Sequence, residues 1–475
     1  MKYLLKNKTR LVCTIGPSSN SPEMLEKMIE AGMNVARLNF SHGDFSGHKN
    51  VIQKIRQASE KTGRRVAILA DLPGPKMRIG DFTEPFVTLN NGASFTLTAE
   101  NITGTVERVS MTMKELPGVV KKGDVLFLND GMIELCVKQV VGEDIQCTVI
   151  VGGILHARKG LNIPGIDLGT SAFTPRDREC MQFALENGVD AVGQSFVNTA
   201  RDIEDVRAAA REMGFEPFII AKIERASVMD HIDAILEATD GIMVARGDLG
   251  VEIPIEEIAI VQKKITARAN LIGRPVITAT QMLESMTNNR RPTRAEATDV
   301  ANAILDGTDA IMLSGESAMG EYPLESVQML AKIAAVTEPQ RSNNHFEFVL
   351  KPYTENYSPS IVDMISVSIE KLFTTVDAPA AVLAPTSSGY MARSLTRFRL
   401  PEWIFAVSSS HKTCQDLMFS YGVFPVLEES SPVDWSERVR TYVKTHGIKG
   451  NCFIKAEGPS PEHPSINHKM EIIEL

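Results

Sequence analysis

Eight short apolar runs, each ending in polar residues, constrain the fold of this 475-residue chain more than any other feature. They are RLVCTIGP, NVARLNFSHG, VAILADLPGP, DAVGQSFV, PFIIAKIE, GIMVARGDLG, PVITATQ and DAIMLSGES. All are rich in Val, Ile and Leu without alternating polarity, as strands buried on both faces must be. Segments of helical period lie between them, such as SPEMLEKMIEAG, HKNVIQKIRQASEKTG and TRAEATDVANAILDG, several closed by a glycine. Successive β-α units in that number predict an α/β fold, a (β/α)8 TIM barrel. A doubly wound open sheet is the competing assembly, and the count of eight favours closure.

One gap in the alternation is too long for a crossover. From Asp71 to about Thr174 the text changes to VTLNNGASFTLTA, DVLFLNDGMIELCVKQVV and EDIQCTVIVGG, with alternating residues and Asn-Gly or Asp-Gly turns. This predicts a small inserted β-barrel lid domain over 73–168, splitting the barrel domain into 1–72 and 169–340. Pro73, Gly74 and Pro75 stiffen the exit from the barrel, and KGLNIPG is the return leg. A domain on such a hinge is placed to close over the barrel mouth. The polar stretch PQRSNNHFEF reads as a linker. Beyond it, AAVLAPTSSG, WIFAVSS and VFPVLEE, each leading toward a helical segment, predict a C-terminal α/β domain over 345–475 with a mostly parallel sheet.

Composition excludes several function classes. A net charge of −9 and a pI near 5.6 argue against a nucleic-acid partner. No apolar run approaches the roughly 18 residues of a membrane helix, and MKYLLKNKTR lacks the apolar core of a signal peptide. The scattered cysteines form no C-x-x-C pair, so free thiols in a reducing compartment are expected, and with them a cytoplasmic location.

Chemistry in a (β/α)8 barrel sits at the carboxyl ends of the strands. The residues expected there are Arg37, Asn39, Ser41 and His42; Asp71; Gln194 and Ser195; Lys222 and Glu224; Arg246 and Asp248; Thr280 and Gln281; Ser314 and Glu316. Glu224 and Asp248 are carboxylates suited to a hard cation, and they come from adjacent strands. Lys222 and Glu224 are two apart, so an extended chain points both into the mouth. Magnesium takes oxygen ligands and completes its shell with water or substrate phosphate. The cluster therefore reads as a magnesium centre beside a lysine and arginines, built for a small phosphorylated anion. Any single one of these charges reads equally well as a structural ion pair, but their convergence from separate strands favours a site.

NFSHG, LADLPGPK, KGLNIPG, AKIE, MVARGDLGVEIP, ITATQMLESM and RPTRAEATDVANAILDGTDAIMLSGESAMGEYP, in this order and spacing, resemble the pyruvate kinase family. The resemblance implies phosphoryl transfer from phosphoenolpyruvate to ADP, giving pyruvate and ATP in glycolysis. It implies that Glu224 and Asp248 bind Mg2+, with Mn2+ as an alternative, and that Lys222 neutralises the transferring phosphoryl and the enolate. Arg37 would hold the phosphoryl group, the Gly247 and Asp248 amides the substrate carboxylate. Thr280 would stand near the methylene carbon, with Ser314 and Glu316 in a relay behind it. Arg78 and Lys159 would reach the nucleotide phosphates, with Asn39 and His42 on the same side. Two rivals remain at this point: a magnesium-dependent barrel lyase or aldolase acting on a keto acid, and a catalytically silent sugar-phosphate sensor.

Many members of the family hold potassium on oxygens matching Asn39, Ser41, Asp71 and the Leu72 carbonyl, with glutamate at the position of Lys76. Here Lys76, Leu72 and Ile79 resemble the subgroup that works without a monovalent cation, and an ammonium can supply the missing charge. Two other departures, AKIERASVM without the frequent His-Glu-Gly and SFVNTA without a basic pair, touch only the periphery. In the C-terminal domain Thr386, Ser387, Ser388 and Gly389 precede a helical segment and match the family's phosphate pocket for allosteric sugar phosphates. Few basic residues accompany them, the tail EGPSPEHPSINHK included, so a sugar monophosphate is the expected effector. A homotetramer is implied.

Overall fold

The computed structural model describes residues 4–165, 171–341, 351, 358–375, 379–429, 434–459 and 467–475. All eight apolar runs become strands: β1 (Arg10–Thr14), β2 (Met33–Asn39), β3 (Ala67–Asp71), β4 (Ala191–Gln194), β5 (Phe218–Ile223), β6 (Gly241–Ala245), β7 (Val276–Ala279) and β8 (Ala310–Leu313). Each pairs in parallel with its chain neighbours, and β8 pairs with β1, so the sheet closes. An open doubly wound sheet is thereby excluded. The intervening helices start and stop as their sequences dictate. The first, Pro22–Ala31, begins where the Ser21 side chain accepts the Met24 N–H and ends at Gly32, whose φ of +122° few other residues adopt. Met28, Met33 and Met181 pack in the core around the barrel.

The insertion is β-rich, as expected, with its own apolar core around Phe95, Leu126 and Leu135. It takes the form of a six-stranded sheet and a two-stranded ribbon, and no pairing among the described residues closes the sheet into a ring. The Asn129–Gly131 turn joins a true hairpin of Val125–Leu128 and Ile133–Val141. The Asn91-Gly92 turn does not: Phe86–Leu89 leaves to pair with Gly153–His156, and Ser94–Thr98 pairs with Asp144–Val151. A turn signal fixes a reversal of the chain, and the partner of each strand is set by packing.

The C-terminal domain carries the five-stranded sheet of β9 (Pro379–Pro385), β10 (Ile404–Ser408), β11 (Val423–Leu427), β12 (Cys452–Glu457) and β13 (Lys469–Glu474), in the order β11-β10-β9-β12-β13. Only β13 runs antiparallel. The expected domain boundaries at 168/169 and 340/345 fall on or beside segments outside the described residues, as do linker residues 342–348 and tail residues 460–466.

This domain floors the barrel. Met418 and Phe419 join the apolar cluster inside it, with Val12, Leu69, Ile220 and Met243. The Phe419 ring stacks on Phe218, the first residue of β5, at 5.1 Å and 3°. Beside it, both Arg399 terminal nitrogens reach the Asp309 carboxylate at 2.8 Å, just before β8, and one also donates to Asn270 Oδ1 at 2.5 Å. The underside is thus sealed by packing and buried charge. A cavity of about 880 Å³ lies between the domains at this end, away from the strand ends that bear the chemistry. Among the described residues no helix is long and apolar enough to cross a membrane.

Candidate active site at the barrel mouth

Four neighbouring strands bring one charged cluster together. Lys222 near the end of β5 lies 2.8 Å from Glu224 Oε1 and 3.0 Å from Asp71 Oδ1, the acid at the tip of β3. Its ammonium also donates to Ser195 Oγ at 2.6 Å, just past β4, and that hydroxyl donates to the Leu72 carbonyl at 2.7 Å. From β2, Arg37 grips Asp71 Oδ2 through Nε at 2.7 Å and Nη2 at 2.5 Å, while Nη1 donates to Thr14 Oγ1. The spacing of Lys222 and Glu224 does what the extended chain requires. Ser195 had no assigned role in the sequence; its bridging position depends on the meeting of β3, β4 and β5.

Burial sharpens these charges. Asp71 and Glu224 are 1% and 2% exposed. Burial alone would raise the Asp71 carboxyl, but Lys222 and Arg37 hold it below the ordinary carboxylate range. For Lys222, burial opposes the charge, and Asp71 and Glu224 more than reverse this, raising its affinity for the proton. Glu224 behaves differently. Burial raises its carboxyl, Lys222 and the Phe196 N–H only partly offset this, and the charge of Asp248 adds to the rise. Glu224, beside Asp248, therefore has less positive charge around it than its ionised form would use.

That deficit fits a divalent cation. Glu224 and Asp248 offer hard oxygen donors, and among the described residues no cluster of three or more His, Cys, Asp or Glu side chains forms a metal cage. Such a pair suits Mg2+, which fills its remaining positions with water and substrate oxygens. A cavity of about 410 Å³ opens here between the lid and the barrel, lined by Lys76, Phe196, Arg225, Asp248 and Glu252 among others.

Asp248 and Gly247 lie in the first turn of the helix Arg246–Glu252 that follows β6. The Gly247 N–H donates to Thr280 Oγ1 at 2.8 Å, and that hydroxyl donates to the Ala279 carbonyl at 2.6 Å. Thr280 and Gln281 have φ of +70° and +51°. For a non-glycine residue such a conformation costs on the order of 1–3 kcal/mol and persists only where the surroundings enforce it. Phe196, at φ +56°, presents its N–H to Glu224 Oε2 at 2.7 Å in the same way. Glu316 is wholly buried, one oxygen taken by the Leu283 N–H at 3.1 Å and the other by the Ser314 N–H at 2.7 Å.

The lid roots are tied to each other. Ile79 N donates to the Lys159 carbonyl, Leu161 N to the Met77 carbonyl, and Arg78 pairs with Gly160. The Arg78 guanidinium donates to the Arg158 carbonyl at 2.9 Å. Gly74 sits at φ +66° with its N–H on Asp177 Oδ1, and an added Cβ would meet Ser195 and Phe196 at 2.8 Å, so the hinge needs glycine. Asn39 Oδ1 accepts the Ser41 N–H, and the His42 carbonyl meets His48 Nε2. Lys76 is exposed and forms no ion pair among the described residues; the cations on Asp71 are Arg37 and Lys222. Its charge is nonetheless felt at His42, which burial, Arg78, Lys76 and Arg37 together push below its ordinary value.

At the other end of the molecule, Thr386 Oγ1 accepts the Gly389 N–H at 2.9 Å, Ser388 Oγ lies 3.4 Å from the Tyr390 N–H, and the Ser387 carbonyl accepts Thr413 Oγ1. The four residues form one loop ahead of the helix Tyr390–Thr396.

A family model described as "Pyruvate kinase, barrel domain" matches residues 6–327, and one described as "Pyruvate kinase, alpha/beta domain" matches 363–456. The chain belongs to the pyruvate kinase family. It is 47% identical to the pyruvate kinase of Thermococcus litoralis over 424 residues, 89% of each chain. It is 41% identical to that of Staphylococcus saprophyticus over 97% of this chain and 79% of the relative, and 43% identical to that of Geobacillus stearothermophilus over 88% and 71%. Pyruvate kinases are phosphotransferases, and this chain is an enzyme of that class.

Proposed function

We propose that this enzyme transfers the phosphoryl group of phosphoenolpyruvate to ADP. The observation that carries the reading is the buried Lys222 ammonium, held among Asp71, Glu224 and Ser195 at the mouth of a pyruvate kinase barrel. Phosphoryl transfer asks mainly for positioning and charge neutralisation. The substrate's P–O bond breaks, an ADP phosphate oxygen takes the phosphorus, and the enolate left behind gains a proton on carbon. Lys222 offsets the charge on the migrating group and the enolate, and Arg37 holds the phosphoryl oxygens. The Gly247 and Asp248 amides receive the substrate carboxylate, and Thr280 faces the methylene carbon with Ser314 behind it. Arg78 and Lys159 reach the nucleotide phosphates, beside Asn39 and His42. Glu224 and Asp248 would hold Mg2+, or Mn2+, which when bound neutralises substrate carboxylate and phosphate charge. A coupled assay of pyruvate formation from phosphoenolpyruvate and ADP tests this; no pyruvate from a folded, magnesium-supplied enzyme rejects it.

The same reading extends to regulation and assembly. Lys76 takes the place of a bound potassium ion near Asn39, Ser41, Asp71 and Leu72, as an exposed ammonium at the lid hinge that, behind burial and Arg78, opposes protonation of the neighbouring His42. The Thr386–Gly389 loop binds the phosphate of a sugar monophosphate activator, its hydroxyls and amides exchanging internal contacts for the ligand. Loss of all sugar-phosphate response at low phosphoenolpyruvate would remove that part. The working units are the barrel at 1–72 and 169–340, the lid at 73–168 and the effector domain at 345–475, in a cytoplasmic homotetramer.

A further inference from the structure

We infer that Arg246 is a positioning residue whose guanidinium holds the left-handed turn at Thr280 and Gln281, aiming Thr280 Oγ1 at the Gly247 amide. The inference rests on the reading of Gly247 and Thr280 as substrate-binding groups. It starts from an outlier: a β-branched threonine at φ +70° followed by a glutamine at +51°. Neither is glycine, so something outside the turn must enforce the shape.

Arg246 does so from the carbonyl side. Its Nη2 donates to the Thr280 carbonyl at 2.7 Å and lies 2.8 Å from Met282 Sδ and 3.4 Å from the Gln281 carbonyl. Its Nη1 is held by both oxygens of Asp299, at 2.9 and 2.7 Å. From the other side Glu316 takes the Leu283 N–H. A half-buried cation thus grips the turn's carbonyls, and a buried carboxylate the amide two residues beyond it. A planar fork of fixed donors can serve these partners at once, and a lysine ammonium cannot.

Chain order supplies the second half of the argument. Arg246 immediately precedes Gly247, whose N–H is the partner of Thr280 Oγ1. One residue therefore sets both ends of that contact. A substrate carboxylate that takes over the Gly247 amide frees the acceptor side of the Thr280 hydroxyl, whose proton is held by the Ala279 carbonyl, and so couples carboxylate binding to the placement of that oxygen. With its fork spent on backbone and Asp299, Arg246 acts through Thr280 and does not touch substrate.

The test compares Arg246→Lys, Asp299→Asn and Arg246→Lys/Gln281→Asn with wild type, reading kcat, both KM values, solvent-deuterium exchange into the pyruvate methyl group, and Tm. Misplacement on the order of 1 Å costs about 10²-fold, so kcat and exchange are expected to fall about 10- to 100-fold in Arg246→Lys and less in Asp299→Asn. The KM for ADP should stay within about twofold of wild type, since nothing moves on the nucleotide side. Asn tolerates the left-handed region better than Gln, so the double variant should regain part of the lost rate. Arg246→Lys and Asp299→Asn enzymes that fold and keep wild-type kcat and exchange overturn the inference alone. If Arg246→Lys does not fold, Asp299→Asn decides by the same readings. An inactive wild type overturns the function on which the inference rests.

Discussion

Lys222 Nζ lies 2.8 Å from Glu224 Oε1, although the proposed function asks opposite things of the two: one to offset anionic charge, the other to attract a cation. Their two-residue separation at the end of one strand makes the pairing unavoidable. Burial and Asp248 both raise the Glu224 carboxyl, which suits the metal ligation proposed for it. On the proposed reading Glu224→Gln removes one metal ligand and its charge. The magnesium concentration for half-maximal rate should rise by at least about 10- to 100-fold, the loss that even an outer-shell partner gives. A magnesium titration of the initial rate checks this, and an unchanged midpoint would show the metal bound elsewhere.

Asp71 gives the fold an acid limit. Its carboxyl is held low by Lys222 and Arg37 against the effect of burial. A carboxyl so lowered contributes stability that is complete above about pH 4 and is lost as pH falls through its folded value. Glu224, raised by burial, contributes in the opposite sense: its stabilisation is present below its ordinary range and is lost as pH rises. Asp71→Asn should lose about 3–5 kcal/mol at pH 7, because Arg37 is left without its carboxylate and Lys222 keeps only Glu224. Its Tm should also vary less with pH on the acid side than that of wild type. Parallel Tm profiles from pH 3 to 7 would contradict this assignment.

How much of this was legible in the sequence differs from residue to residue. Strands β1 to β8 announced themselves because burial on both faces leaves an unbroken apolar run, and helix ends because Ser21 and Gly32 carry their own cap chemistry. The convergence of Arg37, Asp71, Lys222, Glu224 and Asp248 followed once the barrel was assumed. The clamp of Arg246 on Thr280 and Gln281 did not, since a positive φ at a non-glycine residue leaves no mark in composition or spacing. Nor did the role of Phe419: a phenylalanine that floors another domain reads like any other core residue. The pairing of Phe86–Leu89 with Gly153–His156 was equally hidden, because strand partners within the lid depend on long-range packing.

Phe419 supplies a test of the interdomain seal. It is fully buried and stacked on the first residue of the strand that carries Lys222. Phe419→Ala should destabilise the enzyme by about 3–5 kcal/mol, the usual cost of a buried phenylalanine. Differential scanning measurements should show the barrel and C-terminal domain losing stability together. A transition shifted only for the C-terminal domain would mean that the barrel does not depend on its floor.

Lys76 predicts a change in ion requirement. Wild-type enzyme should be nearly fully active in potassium-free buffer. Lys76→Glu should need potassium for activity, by about tenfold or more, the order of magnitude of one unit charge in surface-like surroundings. Rates measured in tetramethylammonium and in potassium salts at equal ionic strength decide the point. A wild type that stalls without potassium would reject the role given to Lys76.

The most direct measurement of all is the initial rate of pyruvate formation from phosphoenolpyruvate and ADP by wild type and by Lys222→Met, each shown to be folded by circular dichroism. Loss of a preorganised positive group at the reacting centre should lower kcat about 10²–10³-fold or more. A folded Lys222→Met enzyme within tenfold of wild type would contradict the account.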